Sequence, residues 1–190
     1  MPRSALTRDL AAVRVRLPTN GDMLRRRVRV GMGVRHDHEV ALVVRPASEE
    51  AKPIVRRLLE LNAYDFSAID GRDIGPDGEY GYPYLDHYWG SANERAAFLF
   101  HVDGHLAGFA LVRLGTPHQV AEFLVLPKYR RHGLGAAGAR RILSRWPGEW
   151  ITHQVPGNDG AVAFWRRAIP VHFTETSDAT GTTQRFVITK

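Results

Sequence analysis

Arg130, Arg131, Gly133 and Gly135 fall within six residues, directly after the apolar run Val120 to Leu126 and Pro127. A strand that runs out into a basic, glycine-bearing turn and then into a helix is suited to binding a diphosphate. Helix starts present unpaired N–H groups and a partial positive charge. Glycines at 133 and 135 let phosphates reach the main chain without a Cβ in the way, and the arginines add formal charge. Gly133, Gly135 and Gly138 also satisfy G-x-G-x-x-G, the spacing of a dinucleotide-binding turn. In that turn the first glycine follows its strand at once, whereas Pro127 to His132 intervene here. No acid closes the next strand to hold a ribose. An ordinary strand–loop–helix with no ligand is the remaining alternative.

The elements that must position this turn can be read from pattern. Val40 to Pro46 is strand-like, and Ser48-Glu49-Glu50 offers a helix cap and acidic first turn. Ile54, Val55, Leu58, Leu59 and Leu61 recur at helical spacing, which predicts a helix to about Asn62 with Pro53 in its first turn. Residues 67 to 92, rich in Gly, Pro, Asp and Tyr, predict a long irregular loop with a short helix near Leu85 to Trp89. Phe98 to Val102 and Leu106 to Arg113 predict an antiparallel hairpin turned at Asp103-Gly104. Val120 to Leu126 is a third apolar strand, followed by a helix from Gly133 to Trp146. A strand from Trp150 to Val155, a helix from Asp159 to Ala168, and strands around Val171 to Thr176 and Gln184 to Thr189 complete the reading.

A chain of 190 residues, 44% hydrophobic and 24% charged, fits one domain with a core of its own. Residues 1 to 39 read as a basic extension, with Val28-Arg29-Val30 an edge-strand candidate, and residues 40 to 190 as the domain. The formal charge of +6 is carried almost wholly by arginine, lysine occurring only at 52, 128 and 190. Charge of this kind attracts phosphate groups in general and does not choose among partners. Cysteine is absent, which excludes a cysteine nucleophile and thiolate metal sites. His36-Asp37-His38 lacks a third ligand, so no metal is expected. No apolar run approaches the roughly 18 to 20 residues that span a bilayer, and the expected location is cytoplasmic.

Arg130-Arg131-His132-Gly133-Leu134-Gly135 resembles the acyl-CoA signature R/Q-x-x-G-x-G/A of the GNAT acetyltransferase superfamily. Downstream, Asn158 to Trp165 is similar to that family's N-x-x-A-x-x-F/L-Y/W helix. Together they cover residues 40 to 190. The resemblance implies an α/β (α+β) fold, a mixed central sheet of about six or seven strands flanked by helices, with the fourth and fifth strands splayed. It implies acetyl-CoA as acyl donor, with Leu124 and Val125 pairing through their main chain to pantetheine. Arg130, Arg131, His132, Gly133, Gly135 and Ala136 would hold the phosphates, and Asn158 and Phe164 would line the pantetheine arm.

The resemblance further implies direct acetyl transfer to a primary amine, with Glu122 as the base, and an N–H such as that of Val125 facing the oxyanion. Many relatives protonate the departing thiolate with a tyrosine in the slot held here by Trp165. An indole cannot do so, which leaves a loop tyrosine, His153 or water. The loop between the first helix and the second strand, before the hairpin, shapes the acceptor pocket in the family. Its acidic and aromatic residues Asp65, Tyr82, Tyr84 and Asp86 nominate a small cationic acceptor, or else simply plug the domain's edge. The missing tyrosine also allows a catalytically silent acyl-CoA sensor. Nucleic acid and membrane are not expected partners, and a homodimer is allowed.

Overall fold

The computed structural model describes residues 13–17, 38–90 and 93–190. Among these, the chain runs β1 (Val13–Leu17), β2 (His38–Pro46), α1 (Lys52–Asp70), α2 (His87–Gly90), β3 (Arg95–Val102), β4 (His105–Arg113), β5 (His118–Val125), α3 (Leu134–Leu143), β6 (Gly148–Gln154), α4 (Asp159–Ala168), β7 (Phe173–Asp178) and β8 (Gly181–Ile188). They form one eight-stranded sheet in the order β1-β2-β3-β4-β5-β6-β8-β7. Every pairing is antiparallel except β5 with β6. The expected mixed sheet is present with one more strand than foreseen. Val13–Leu17, read as part of an extension, pairs with residues 38–42 at the sheet's edge. Val28-Arg29-Val30, His36 and Asp37 lie outside the described residues.

The two sheet faces carry separate cores. Val44, Phe98, Phe100, Ala110, Val112 and Val120 pack beneath α3 and α4. Ala97, Leu99, Phe109, Leu111 and Leu124 pack beneath α1 and α2. Strict alternation along β3 explains the division, since successive side chains point to opposite faces. On α1 the buried positions are Val55, Leu58, Leu59 and Asn62, an i, i+3, i+4, i+7 stripe that ends on a polar residue. Pro53 sits in the first turn, where its missing N–H costs no helical bond. The helix runs past the predicted end near Asn62, because nothing from Ala63 to Asp70 breaks it. Gly71, left-handed at φ 70°, stops it and donates its N–H to the Ser67 carbonyl at 3.0 Å.

Strand β5 is irregular on both of its edges. Leu111 pairs with Glu122 and Val112 with Val120, so Ala121 is the extra residue of a β-bulge. Beside β6 the ladder holds only at His118↔Trp150, Gln119↔Ile151 and Val120↔Thr152. Beyond that point the two strands, the fourth and fifth of the expected sheet, part company, as the resemblance implied.

Candidate active site

At the end of β5 the chain makes a turn of one 3-10 unit, Pro127–Tyr129, and enters α3 through two left-handed residues, Arg131 (φ 66°) and Gly133 (φ 74°). The first helical bond runs from the Ala137 N–H to the Gly133 carbonyl at 3.0 Å. The N–H groups of Leu134, Gly135 and Ala136 therefore have no carbonyl within the helix, and they sit at its positive end. A Cβ on Gly135 would lie 3.1 Å from the Phe164 ring and 3.3 Å from the Val125 side chain, so the helix start presses closely onto β5 and α4 and any side chain there must displace both slightly. His132 turns a buried Nδ1, without a hydrogen bond, into the turn.

Arg130 does not stand free over this helix start, as its place in the motif suggested. Its Nε donates to the Val125 carbonyl at 2.6 Å and its Nη2 pairs with Asp65 on α1 at 2.5 Å. Arg131 makes no ion pair among the described residues and, like Lys128, is an exposed cation of the turn.

The main chain of β5 alternates in the same way as its side chains. Leu126 donates to the Ala107 carbonyl of β4, and the Leu124 carbonyl lies so close to β4 that a Cβ on Gly108 would come within 2.1 Å of it. The peptide groups of Leu124 and Leu126 thus face β4, and those of Phe123 and Val125 face the gap toward β6. Of the pair expected to meet a ligand through the main chain, Val125 is turned to the gap and Leu124 away from it.

Across the gap, Asn158 caps α4, its Oδ1 accepting the Ala161 N–H at 3.2 Å. Phe164 packs against Phe123 and edge-on against Trp165, ring centres 5.3 and 5.1 Å away. Trp165 is buried among these rings and packs as a core residue. His153 lies exposed on β6, its Nδ1 2.9 Å from the Thr183 hydroxyl. Sequence reasoning passed over Gln154, the last residue of β6 and beyond its last pair with β5. The residue is buried, and both amide atoms lack a hydrogen bond. A glutamine in step with Trp150 and Thr152 on the inward face of β6 was the available signal, as buried amides are normally satisfied.

Glu122 occupies the bulge. Ala121 already faces the α1 side, and the extra residue keeps Glu122 on that same side instead of beneath α3. There Asn62, the polar end of the buried α1 stripe, donates to its Oε2 at 2.9 Å. Burial pushes the Glu122 carboxyl up to about 7, against the opposing pull of Arg72, Arg113 and the Asn62 hydrogen bond. A carboxyl poised near neutrality can take a proton from an ammonium group and return it to water.

The acceptor candidates separate. Tyr82 is half-buried, its phenol pushed up by burial and then by Tyr88 and Glu122 beside it, so it belongs with the carboxyl. Tyr84 touches the group only through the Tyr82 ring, 5.8 Å away and edge-on, and is itself 52% exposed. Asp86 is turned outward to Lys52 at 2.6 Å, a bond that holds its carboxyl below the usual range. Asp65 is taken by Arg130. Glu60, not singled out from the sequence, binds the Tyr80 and Gly81 N–H groups at 2.6 and 3.0 Å and so folds the loop.

Comparison with known proteins matches this arrangement to one family. The Acetyltransferase (GNAT) family matches residues 57–169, which include the α1 stripe from Leu58 onward, the bulge, the basic turn and the capped helix. No curated protein matches the chain. Among solved structures, an acetyltransferase from Thermus thermophilus is similar at 20% identity and a TM-score of 0.60, over 77% of this chain and 95% of its own. The PaiA N-acetyltransferase from Thermoplasma acidophilum, in complex with coenzyme A, aligns at 13% identity and 0.54, over 77% and 98%. YncA, a putative acetyltransferase from Salmonella typhimurium with its cofactor acetyl-CoA, aligns at 14% and 0.56, over 78% and 95%. The structural likenesses carry the fold, and the family match spans more than half of the chain. With the parted strands and the basic glycine turn in the places the family signature requires, the chain belongs to the GNAT acetyltransferase family.

Proposed function

We propose that this protein transfers the acetyl group of acetyl-CoA directly to a primary amine. The observation that carries the reading is Glu122, held by Asn62 and raised to about 7, on the strand that parts from β6 two residues earlier. Bound acetyl-CoA would supply an activated thioester; everything else is the chain's own work.

The residues fit that cosubstrate. The free N–H groups of Leu134, Gly135 and Ala136, with Gly133 in its left-handed turn and Arg131 beside them, make a cradle for a diphosphate. The unpartnered amide of Gln154 offers a donor and an acceptor to an amide-bearing arm lying between β5 and β6, the Val125 carbonyl being already held by Arg130. Phe164 walls that arm on the α4 side. Glu122 takes the proton of the attacking amine, a contribution of about 10²–10⁴-fold for a well-placed base. The Val125 N–H faces the developing oxyanion.

The cationic character expected of the acceptor rested on Asp65 and Asp86 beside the aromatic Tyr82 and Tyr84, and both carboxylates are already paired with basic side chains. Trp165 favours a second reading, a silent acyl-CoA sensor, since the tyrosine slot is filled by a buried indole. Release of free CoA thiol from acetyl-CoA with a panel of primary amines separates the two. Turnover above background with any amine supports the transferase; tight acetyl-CoA binding with none supports the sensor.

A further inference from the structure

Beyond Leu111, the register partner of Glu122, β4 ends at Arg113, which points to the α1 face as Phe109 and Leu111 do. Directly opposite Arg113 on β3 stands Arg95. It shares a face with Ala97 and Leu99, and its guanidinium lies 5.3 Å over the Tyr88 ring. Like charges directly opposed on neighbouring strands repel and destabilise the pair. No carboxylate among the described residues pairs with either arginine. Arg72, on another flank of Glu122, is by contrast tied to Asp70 at 2.5 Å.

Beneath this pair lies a second irregularity. Tyr88 is buried, 3% exposed, and its hydroxyl lies beside the Tyr82 phenol without closing a hydrogen bond of good geometry. A buried hydroxyl left short of a hydrogen bond is costly, and the two opposed guanidinium groups, Arg95 lying over the Tyr88 ring, repel each other. A planar anion answers both, since guanidinium groups grip carboxylates through paired hydrogen bonds and a phenol can donate a further one.

We infer that the acceptor amine also bears a carboxylate, which Arg95 and Arg113 hold beside Tyr88 while the amine reaches Glu122. Along β4 the step from Leu111 to Arg113 is about 7 Å by strand rise, a span that arginine side chains cover. An amine and a carboxylate a few bonds apart, as in an amino acid, fit the interval; a polyamine meets two cations there.

The inference rests on the transferase reading, and its test keeps the two apart. CoA release is measured with the free amino acids, their carboxamides and a set of polyamines, using the wild type, Arg113→Gln and Arg95→Gln. Binding of the same amino acids to the CoA-loaded protein is followed by calorimetry. Arg113 is exposed and unpaired, so its variant keeps the fold even if loss of the Tyr88 contact harms Arg95→Gln. The expected result is a preference of about ten-fold or more for acids over carboxamides, lost in Arg113→Gln chiefly through KM when rates are compared well above pH 7, where Glu122 is ionised even without the pull of Arg113. Equal rates on acids and carboxamides, or a polyamine preference, overturn the carboxylate site and leave the transferase standing. If no amine is acetylated, carboxylate binding that Arg113→Gln abolishes still supports the site while the transferase falls. Absence of both turnover and binding removes the two together.

Discussion

Arg130 donates to two acceptors at once, the Val125 carbonyl at 2.6 Å and the Asp65 carboxylate at 2.5 Å, and so straps α1 to the end of β5. Both partners of the ion pair are more than two-fifths exposed, so the pair adds at most about 1 kcal/mol to stability. Its larger effect is electrostatic, because Asp65 offsets the charge that Arg130 brings to the turn. Asp65→Asn is expected to leave the melting temperature nearly unchanged and to tighten acetyl-CoA binding several-fold at low salt, an advantage that fades as salt screens it. Weaker binding in a titration would show instead that the strap serves to position Val125.

Glu122 gives two pH signatures. Because its active form is the carboxylate, kcat/KM is expected to rise with pH and level off above about 7, and Glu122→Gln to flatten the profile with a loss of about 10²–10⁴-fold. Stability runs the other way. A carboxyl raised on folding favours the native state below its unfolded value near 4.5 and loses that advantage as pH climbs through about 7. Glu122→Gln should therefore melt higher than the wild type at pH 8, by up to about 3 kcal/mol, and alike near pH 4.5. A uniform difference across that range in calorimetric scans would rule out the raised carboxyl.

Asn62 acts on the reaction through Glu122. Its hydrogen bond favours the carboxylate, so Asn62→Ala is expected to move the limb of the pH–rate profile upward from about 7. A lower rate with an unmoved limb would assign Asn62 to packing alone.

Gly135→Glu tests the turn. The signature admits alanine at this position, whereas a glutamate, its Cβ already 3.1 Å from Phe164 and 3.3 Å from Val125, brings a carboxylate to the helix start where the diphosphate would lie. Acetyl-CoA affinity is expected to fall by about ten-fold or more, while circular dichroism stays native. Unchanged affinity would detach the turn from the coenzyme.

Gln154 carries its two unsatisfied amide atoms in the ligand-free fold. Gln154→Leu removes them and is expected to raise the melting temperature of the free protein, by about 1 kcal/mol of stability, yet to weaken acetyl-CoA binding. A variant that binds as tightly as the wild type would make the amide a mere packing defect.

Much of this architecture was legible in the residues alone. The Asp103-Gly104 turn, the apolar strands and the basic glycine turn follow from local chemistry, and all three stand where the residues place them. Glu122 was legible as a candidate, but not the bulge at Ala121 that aims it, since a bulge is a matter of register between strands. The partners of Asp65 and Asp86 were equally hidden. An acid in a loop reads as a free charge until the fold brings Arg130 or Lys52 beside it. The end of α1 was misjudged because amphipathic spacing fades after Leu61, whereas a helix continues until something stops it, here Gly71. Val13–Leu17 alternates apolar and basic residues as an edge strand does, a signal given instead to Val28.

The three-pair ladder between β5 and β6 has a mechanical meaning. It is the seam where the sheet is least stitched, and cohesion across it falls to α3 and α4, which pack against each other over the α3-side core. A molecule wedged between the loose ends would act as the missing thread. Occupancy should then quiet the whole seam, slowing amide exchange at Phe123, Val125 and the far end of β6 far more than at the hairpin of β3 and β4.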